Sequence, residues 1–382
     1  MPDLINKPEN TAPHSRRLKI LLYTLAGVSL LGISLLVIRI VYQSPVLHTT
    51  QVKADEEAST PAVVVPVLDV ALYDKKMIEL ANHIVPAAIV STSATVATSA
   101  KPATPPKTPL WPVKTVYPKA GALLPFNRIV AYYGNFYAKG MGALGQYPKE
   151  EMKKRLLDEA KKWQDADPTT PVIPAVDYIA VTAQGSAGAD GKYRFRMPAT
   201  ELDKAVKIAD ELKGIVILEI QPGLSTFMTE VPVFEKYLKM PNVHLALDPE
   251  FSMSKAGVKP GRVIGTVDAS EINSVAQYLA KIVQDNNLPP KILIVHRFTH
   301  AMVTNTKQIK PLPEVQVLMD MDGWGSPAKK IGTHKQVIYP EPVQFTGFKL
   351  FYKNDYFPPS PRMLTREEIL KLEPRPSFIQ YQ

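Results

Sequence analysis

The sequence predicts a (β/α)8 barrel on the exported side of a membrane anchor. Three observations carry that reading. Eight short strand-like runs recur between Phe126 and Gln382. Amphipathic helical patterns lie between several of them. Runs such as Ile215-Val216-Ile217-Leu218 and Ile292-Leu293-Ile294-Val295 are apolar without alternation, which suits parallel strands covered on both faces. An open doubly wound sheet is the competing architecture. No Gly-x-Gly-x-x-Gly follows the first strand, so a dinucleotide site has little support, and no cofactor is expected.

In chain order, the expected strands are Arg128–Tyr133, Val172–Ala180, Gly214–Ile220, Val243–Asp248, Lys291–His296, Val315–Asp320, Gly347–Tyr352 and Ser377–Tyr381. The expected helices are Lys149–Ala166, Pro198–Lys213, Val231–Lys239, Ala269–Asn286 and Arg366–Leu372. Together they form one exported domain over residues 120–382.

The N-terminal third reads differently. Residues 1–17 are a short polar tail, and residues 18–43 hold the anchor. Ile20 to Ile38 is an uncharged apolar run of nineteen residues, long enough to cross the ~30 Å hydrocarbon layer as a helix. Arg16, Arg17 and Lys19 precede it and place the N-terminus in the cytoplasm. A cleaved signal peptide is the competing reading; a retained single-pass anchor fits the length better. The expected location is the bacterial cytoplasmic membrane, with the lipid bilayer as one partner and the C-terminal domain outside. Residues 44–119 are a tether rich in Pro, Ala and Thr. A helical island near 69–81, with Asp69 as its N-cap, either docks on the barrel or stays marginal.

Composition narrows the function classes. Of 382 residues, 45% are hydrophobic and 21% charged, which excludes a wholly disordered chain. The absence of cysteine excludes disulfides, thiolate metal sites and a cysteine nucleophile. A net charge of +9 without a long Lys/Arg run reads as a basic surface, not a nucleic-acid site. No Gly-x-Ser-x-Gly elbow and no phosphate-binding loop is present.

In a barrel the chemistry sits at the C-terminal ends of the strands. Those ends carry Tyr132-Tyr133, Asp177, Glu219 with Gln221, Asp248-Pro249-Glu250, His296, Asp320-Met321-Asp322 followed by Trp324, and Lys349 with Tyr352. Asp248 and Glu250, two apart on a strand, face one way. Two neighbouring carboxylates resist joint ionisation, so one becomes a general acid while its partner stays charged. Glycoside hydrolysis needs that division. Asp322, Glu219 and Asp177 are further candidates for the second carboxylate. Tyr132, Tyr133, Gln221, His296, Trp324, Lys349 and Tyr352 are candidate substrate contacts. His296 and His300, four apart, form a possible metal pair as in metal-dependent polysaccharide deacetylases, whose aspartate pair after the first strand is missing here. No metal is assigned.

Asp248-Pro249-Glu250 after Val243–Leu247 resembles the Asp-x-Glu that ends strand four in family 25 lysozymes and the end of the chitinase signature. The resemblance implies Glu250 as proton donor and Asp248 as its electrostatic partner. His244 and Ala246 stand where a chitinase carries earlier signature positions. Arg128–Gly134, Met141–Gly145, Leu247–Phe251, Met321–Gly323 and Lys349–Tyr352 resemble segments of an uncharacterised bacterial group of exported, anchored or lipoprotein-type proteins. That likeness implies envelope location and a barrel-like fold, without an activity. The expected function is a glycoside hydrolase-like barrel acting on cell-wall or extracellular glycan, peptidoglycan included. A non-catalytic glycan-binding scaffold and a metal-dependent deacylase are the other classes.

Overall fold

Strand parity divides the interior of this protein into two apolar cores. The computed structural model describes residues 67–82, 109–360 and 362–382, all within one compact unit, Val64–Gln382. The expected anchor, residues 18–43, lies outside the described residues. Among the described residues no helix is long and apolar enough to cross a membrane.

Eight parallel strands close into a barrel: β1 Arg128–Gly134, β2 Val172–Ala183, β3 Ile215–Ile220, β4 Val243–Leu247, β5 Lys291–Arg297, β6 Val315–Met321, β7 Phe345–Leu350 and β8 Phe378–Tyr381. Each pairs with its neighbour in sequence, and β8 pairs with β1 to close the ring. Helices cover the outside between strands. The main ones are α2 Lys149–Ala166, α3 Ala199–Glu211 and α4 Ala269–Asp285, after α1, Val70–Ala81, at the N-terminal side. Later come α5 Pro327–Thr333 and α6 Arg366–Leu370. The open-sheet alternative is therefore excluded.

Alternation along each strand sorts the side chains. Ile129 and Ala131 of β1 point into the lumen with Ile215, Ile217, Ile292, Ile294, Phe345 and Phe378. Val130 and Tyr132 point outward into the shell between strands and helices. α4 shows why these helices form: Asp268 caps it through Ser270, and Ile272, Val275, Ala276, Leu279 and Val283 repeat along one buried face.

The helical island is α1, Val70–Ala81. The Asp69 carboxylate accepts from the Leu72 amide at 2.9 Å, satisfying one free donor of the first turn. Tyr73, Met77 and Ala81, four apart, are buried, and Tyr73 and Met77 join the lumen core through its N-terminal end. The floor of the barrel is thus closed by a helix that precedes it in sequence.

Two stretches depart from expectation. Residues 231–239 are not one helix: Val231–Phe234 is a 3-10 turn that runs into the single α-turn Glu235–Leu238, with Pro232 at its start. α5 was not foreseen, because Pro327, Gly332 and a mixed polar pattern hide it; it is capped by Ser326 and continues as a π-turn, His334–Ile338.

Because Met77 fills the barrel floor, Met77→Ala should destabilise the fold by about 2–4 kcal/mol. The exposed Leu72→Ala should shift it by less than about 0.5 kcal/mol. Urea midpoints of the two variants check the pair; equal midpoints would refute the plug.

Candidate active site

Above the apolar lumen, the inward positions turn polar together. Register explains this: Tyr133 of β1 lies beside Asp177 of β2, His296 of β5 beside Asp320 of β6, and Lys349 of β7 beside Gln380 of β8. Neighbours in a parallel ladder share a face, so one level of the barrel gathers all six, with Glu219 of β3. Asp177, Glu219, His296, Asp320 and Gln380 have no exposed surface.

His296 is the hub. Its Nδ1 lies 3.1 Å from Asp320 Oδ2 and 3.6 Å from Asp322 Oδ2. Its Nε2 lies 3.1 Å from Glu219 Oε2, off the line of a hydrogen bond, so that contact acts through charge. Burial alone would lower the His296 pKa. Glu219, Asp320 and Asp322 outweigh burial and hold it well above the usual imidazole range. The cation acts back on Glu219, whose pKa is lowered although burial pushes it up, because His296, Lys349 and the Tyr133 hydroxyl favour its charge. Tyr133 donates to Glu219 Oε1 at 3.1 Å. Asp177 and Asp320 shift the other way: burial raises both, and Glu219 raises Asp177 further.

Gln221 joins this layer to β4. Its Nε2 reaches Tyr133 Oη at 3.1 Å, and Glu219 Oε1 and Asp248 Oδ2 each at 3.2 Å. Its Oε1 accepts from the Ala183 amide at 3.1 Å. β4 ends at Leu247, so Asp248 and Glu250 do not share a strand face as expected. Pro249–Phe251 is a 3-10 turn, and Asp248 Oδ1 caps it by accepting from the Glu250 amide at 3.0 Å. Asp248 is therefore both turn cap and site residue. Burial, and next the Glu219 charge, hold its pKa well above the carboxylate range.

The turn places Glu250 in a cavity of about 460 Å³ over the barrel mouth, also lined by Asp248, Asp322, Trp324, Lys349 and Phe298. Glu250 is half-buried, and no side chain among the described residues hydrogen-bonds its carboxyl. Burial, then Asp322, push its pKa up to about 7 against the pull of Lys349 and His296. Asp248, Glu250 and Asp322 each bring an oxygen within 4.8 Å of the others. Lys349 Nζ lies 3.1 Å from Asp322 Oδ1 and 3.9 Å from the centre of the Tyr133 ring. Burial would lower the Lys349 pKa, but Asp322 and the other acids raise it. The three-carboxylate corner has a donor set a divalent cation accepts, with the lysine as a cation already in place.

Not every expected residue arrives. Tyr132 and Tyr352 point outward by parity and pack with Tyr381 in the shell, their hydroxyls 3.1 Å apart. Asp177 lies beneath the cavity, bonded to Gln380. His300 is exposed against Glu341 at 3.0 Å, so it shares no face with His296, and the paired-histidine metal reading has no geometry behind it. Sequence reading missed Lys329 and Thr333, which line the cavity from the unforeseen α5, and Phe298 just past β5. It also missed Gln380, although its place two residues from the inward Phe378 was a usable signal.

No family model matches the chain, and no curated protein matches it. Among solved structures, a ruminal GH26 endo-beta-1,4-mannanase is similar at 11% identity and a TM-score of 0.31, over 67% of this chain and 59% of the mannanase. GH26C from Muricauda sp. MAR_2010_75 is similar at 10% identity and a TM-score of 0.27, over 66% of this chain and 70% of that one. Such likenesses decide nothing about chemistry. The fold stands on its own eight paired strands, and the likeness to an exported bacterial group gains nothing here.

His296 should remain doubly protonated at pH 7.5. Nitrogen chemical shifts of its ring check this; a neutral ring at that pH would remove the hub as described.

Proposed function

We propose that this chain is a glycoside hydrolase acting on cell-wall or extracellular glycan, with Glu250 as general acid and Asp322 as the opposing carboxylate. One observation carries the reading. Within a cavity of about 460 Å³, a carboxyl with a pKa of about 7 lies within 4.8 Å of a carboxylate paired to a buried lysine. At neutral pH and below, Glu250 holds a proton for a leaving-group oxygen, while Asp322 carries the negative charge an oxocarbenium-like transition state attracts. Asp248 suits neither role, since one oxygen caps the turn and the other receives Gln221. It shapes the site and adds to the field. Glu219 lies deeper and serves the hub.

The short spacing favours retention, for which the carboxyls sit about 5–5.5 Å apart, over inversion at about 6.5–9.5 Å. In the first step Asp322 attacks the anomeric carbon as the glycosidic bond breaks, and the Glu250 proton goes to the departing oxygen. In the second, Glu250 takes a proton from water, whose oxygen displaces Asp322. Lys349 holds Asp322 in line throughout. Location at the outer face of the cytoplasmic membrane is part of the proposal and rests on the apolar run Ile20–Ile38. Carbonate-resistant pelleting of the full chain with membranes is the expected result.

The deciding experiment measures reducing-end release from purified peptidoglycan and a panel of glycans. Glu250→Gln should lower the rate by about 10²–10⁴-fold. A chelator should leave it unchanged; loss on chelation would replace this mechanism with a metal-assisted one at the same three carboxylates. The rate should fall as pH rises through about 7, because Glu250 loses its proton there. Asp322→Asn removes a charge that raises the Glu250 pKa, so any residual rate should show that fall at lower pH. Wild-type activity retained in Glu250→Gln would refute the assignment.

A further inference from the structure

Six aromatic side chains are exposed among the described residues, and five of them stand on the loops at the barrel mouth: Tyr137, Phe195, Trp324, Tyr356 and Phe357. Tyr117 is the sixth. The five fall into two groups on separate arcs of the rim. Tyr137 and Phe195 meet edge to face, centroids 6.2 Å apart, on the loops after β1 and β2. Trp324 and Phe357 do the same at 5.8 Å, on the loops after β6 and β7, and Tyr356 adjoins them.

Both groups sit on clamped backbone. Phe195 belongs to the short strand Arg194–Arg196, which pairs antiparallel with the end of β2. The flanking Arg194 and Arg196 both bind the buried Glu230, Nε to carboxylate at 2.8 and 2.7 Å. On the other arc, buried Lys330 donates to Asp355 Oδ2 and to the Lys349 carbonyl, each at 2.7 Å. Asp355 in turn accepts from the amides of Gly325 and Phe351, at 2.9 and 3.0 Å. Charge-assisted hydrogen bonds to the buried carboxylates of Glu230 and Asp355 thus fix the backbone that carries both groups. Each arc also runs into the cavity: Met141 and Ala183 line it on the first side, Trp324 on the second.

We propose that the two aromatic groups are flanking subsites that bind a glycan polymer across the mouth, so that the chain cuts within a polymer and not at its end. This rests on the hydrolase reading for the cut, and on the rim alone for the binding. Flat apolar sugar faces lie on aromatic rings, and a continuous chain is the ligand that reaches both arcs while passing Glu250.

The test uses the full-length Glu250→Gln protein and co-sedimentation with amorphous cellulose, chitin, mannan and peptidoglycan sacculi. Two double variants are made in that background, Tyr137→Ala with Phe195→Ala and Trp324→Ala with Phe357→Ala. All four positions are exposed, so melting temperatures should match the parent. The expected result is retention on at least one polymer, weakened about tenfold or more by each double variant. A hexasaccharide of that polymer should compete at least about tenfold better than the disaccharide. Retention on none of the polymers, or retention that both double variants leave unchanged, overturns the proposal. Hydrolysis by the otherwise wild-type protein, measured on the same polymers, separates the two readings. Rim-dependent retention without hydrolysis removes the hydrolase and keeps the subsites. Hydrolysis that both rim variants leave unchanged, on polymer and disaccharide alike, removes the subsites and keeps the hydrolase.

Discussion

A buried imidazolium is the constraint on which the mouth of this barrel depends. Four strands bring Asp177, Glu219, Asp320, Asp322 and His296 to one end of the lumen, where all five are buried. Carboxylates at that density cannot all ionise. His296, with Glu219 on one edge and Asp320 and Asp322 on the other, decides which do. Glu219 keeps its charge, while Asp177, Asp320 and Asp248 are pushed toward the neutral form. Desolvating so many charged groups is unfavourable, and a well-packed apolar layer of the same volume is often as stable or more so. Such an arrangement is expected where the charges serve chemistry.

Stability therefore has to come from below and outside. The lower lumen is filled by aliphatic and aromatic residues and closed by α1, while the shell between strands and helices forms the larger core. The two cores are the two faces of the same strands. Rim loops are then free to be polar and specific, because buried side chains hold them. Gln221 ties β1, β3 and β4 at one point through Tyr133, Glu219 and Asp248. The pair Lys330–Asp355 ties α5 to the ends of β6 and β7. Gly347 shows how little slack remains: a Cβ there would lie 2.4 Å from Asp320 Oδ1, so β7 needs glycine for β6 to present its aspartate.

Much of this was legible in the sequence. Continuous apolar runs such as Ile215–Leu218 admit few environments other than a strand buried on both faces, and all eight strands overlap their expected ranges, β7 lying two residues earlier, at Phe345–Leu350. Residues two apart carried the site as well, since Asp320 and Asp322 both turn to His296. Adjacent residues misled. Tyr132 has the same chemistry as its neighbour Tyr133, and only the phase of β1 separates shell from lumen. α5 was invisible because its stability comes from Lys330 buried against Asp355, a tertiary contact no local pattern encodes. The His-x-x-x-His spacing presumed a helical turn where the chain is still leaving a strand.

The split between Glu250 and Asp322 follows from the layering. Lys349 rises from β7 at the level of the hub, and its ammonium reaches Asp322, which β6 delivers from its own C-terminal end. Glu250 comes from a turn one step above that layer, held through its backbone amide and carbonyl, so the lysine favours its charge less than burial and Asp322 oppose it. Two carboxyls of similar intrinsic acidity, close enough to share a ligand atom's reach, thus sit in different electrostatic environments. The difference needs no unusual residue. It comes from ending β4 in a proline turn, which lifts Glu250 out of the cationic layer while leaving Asp248 inside it.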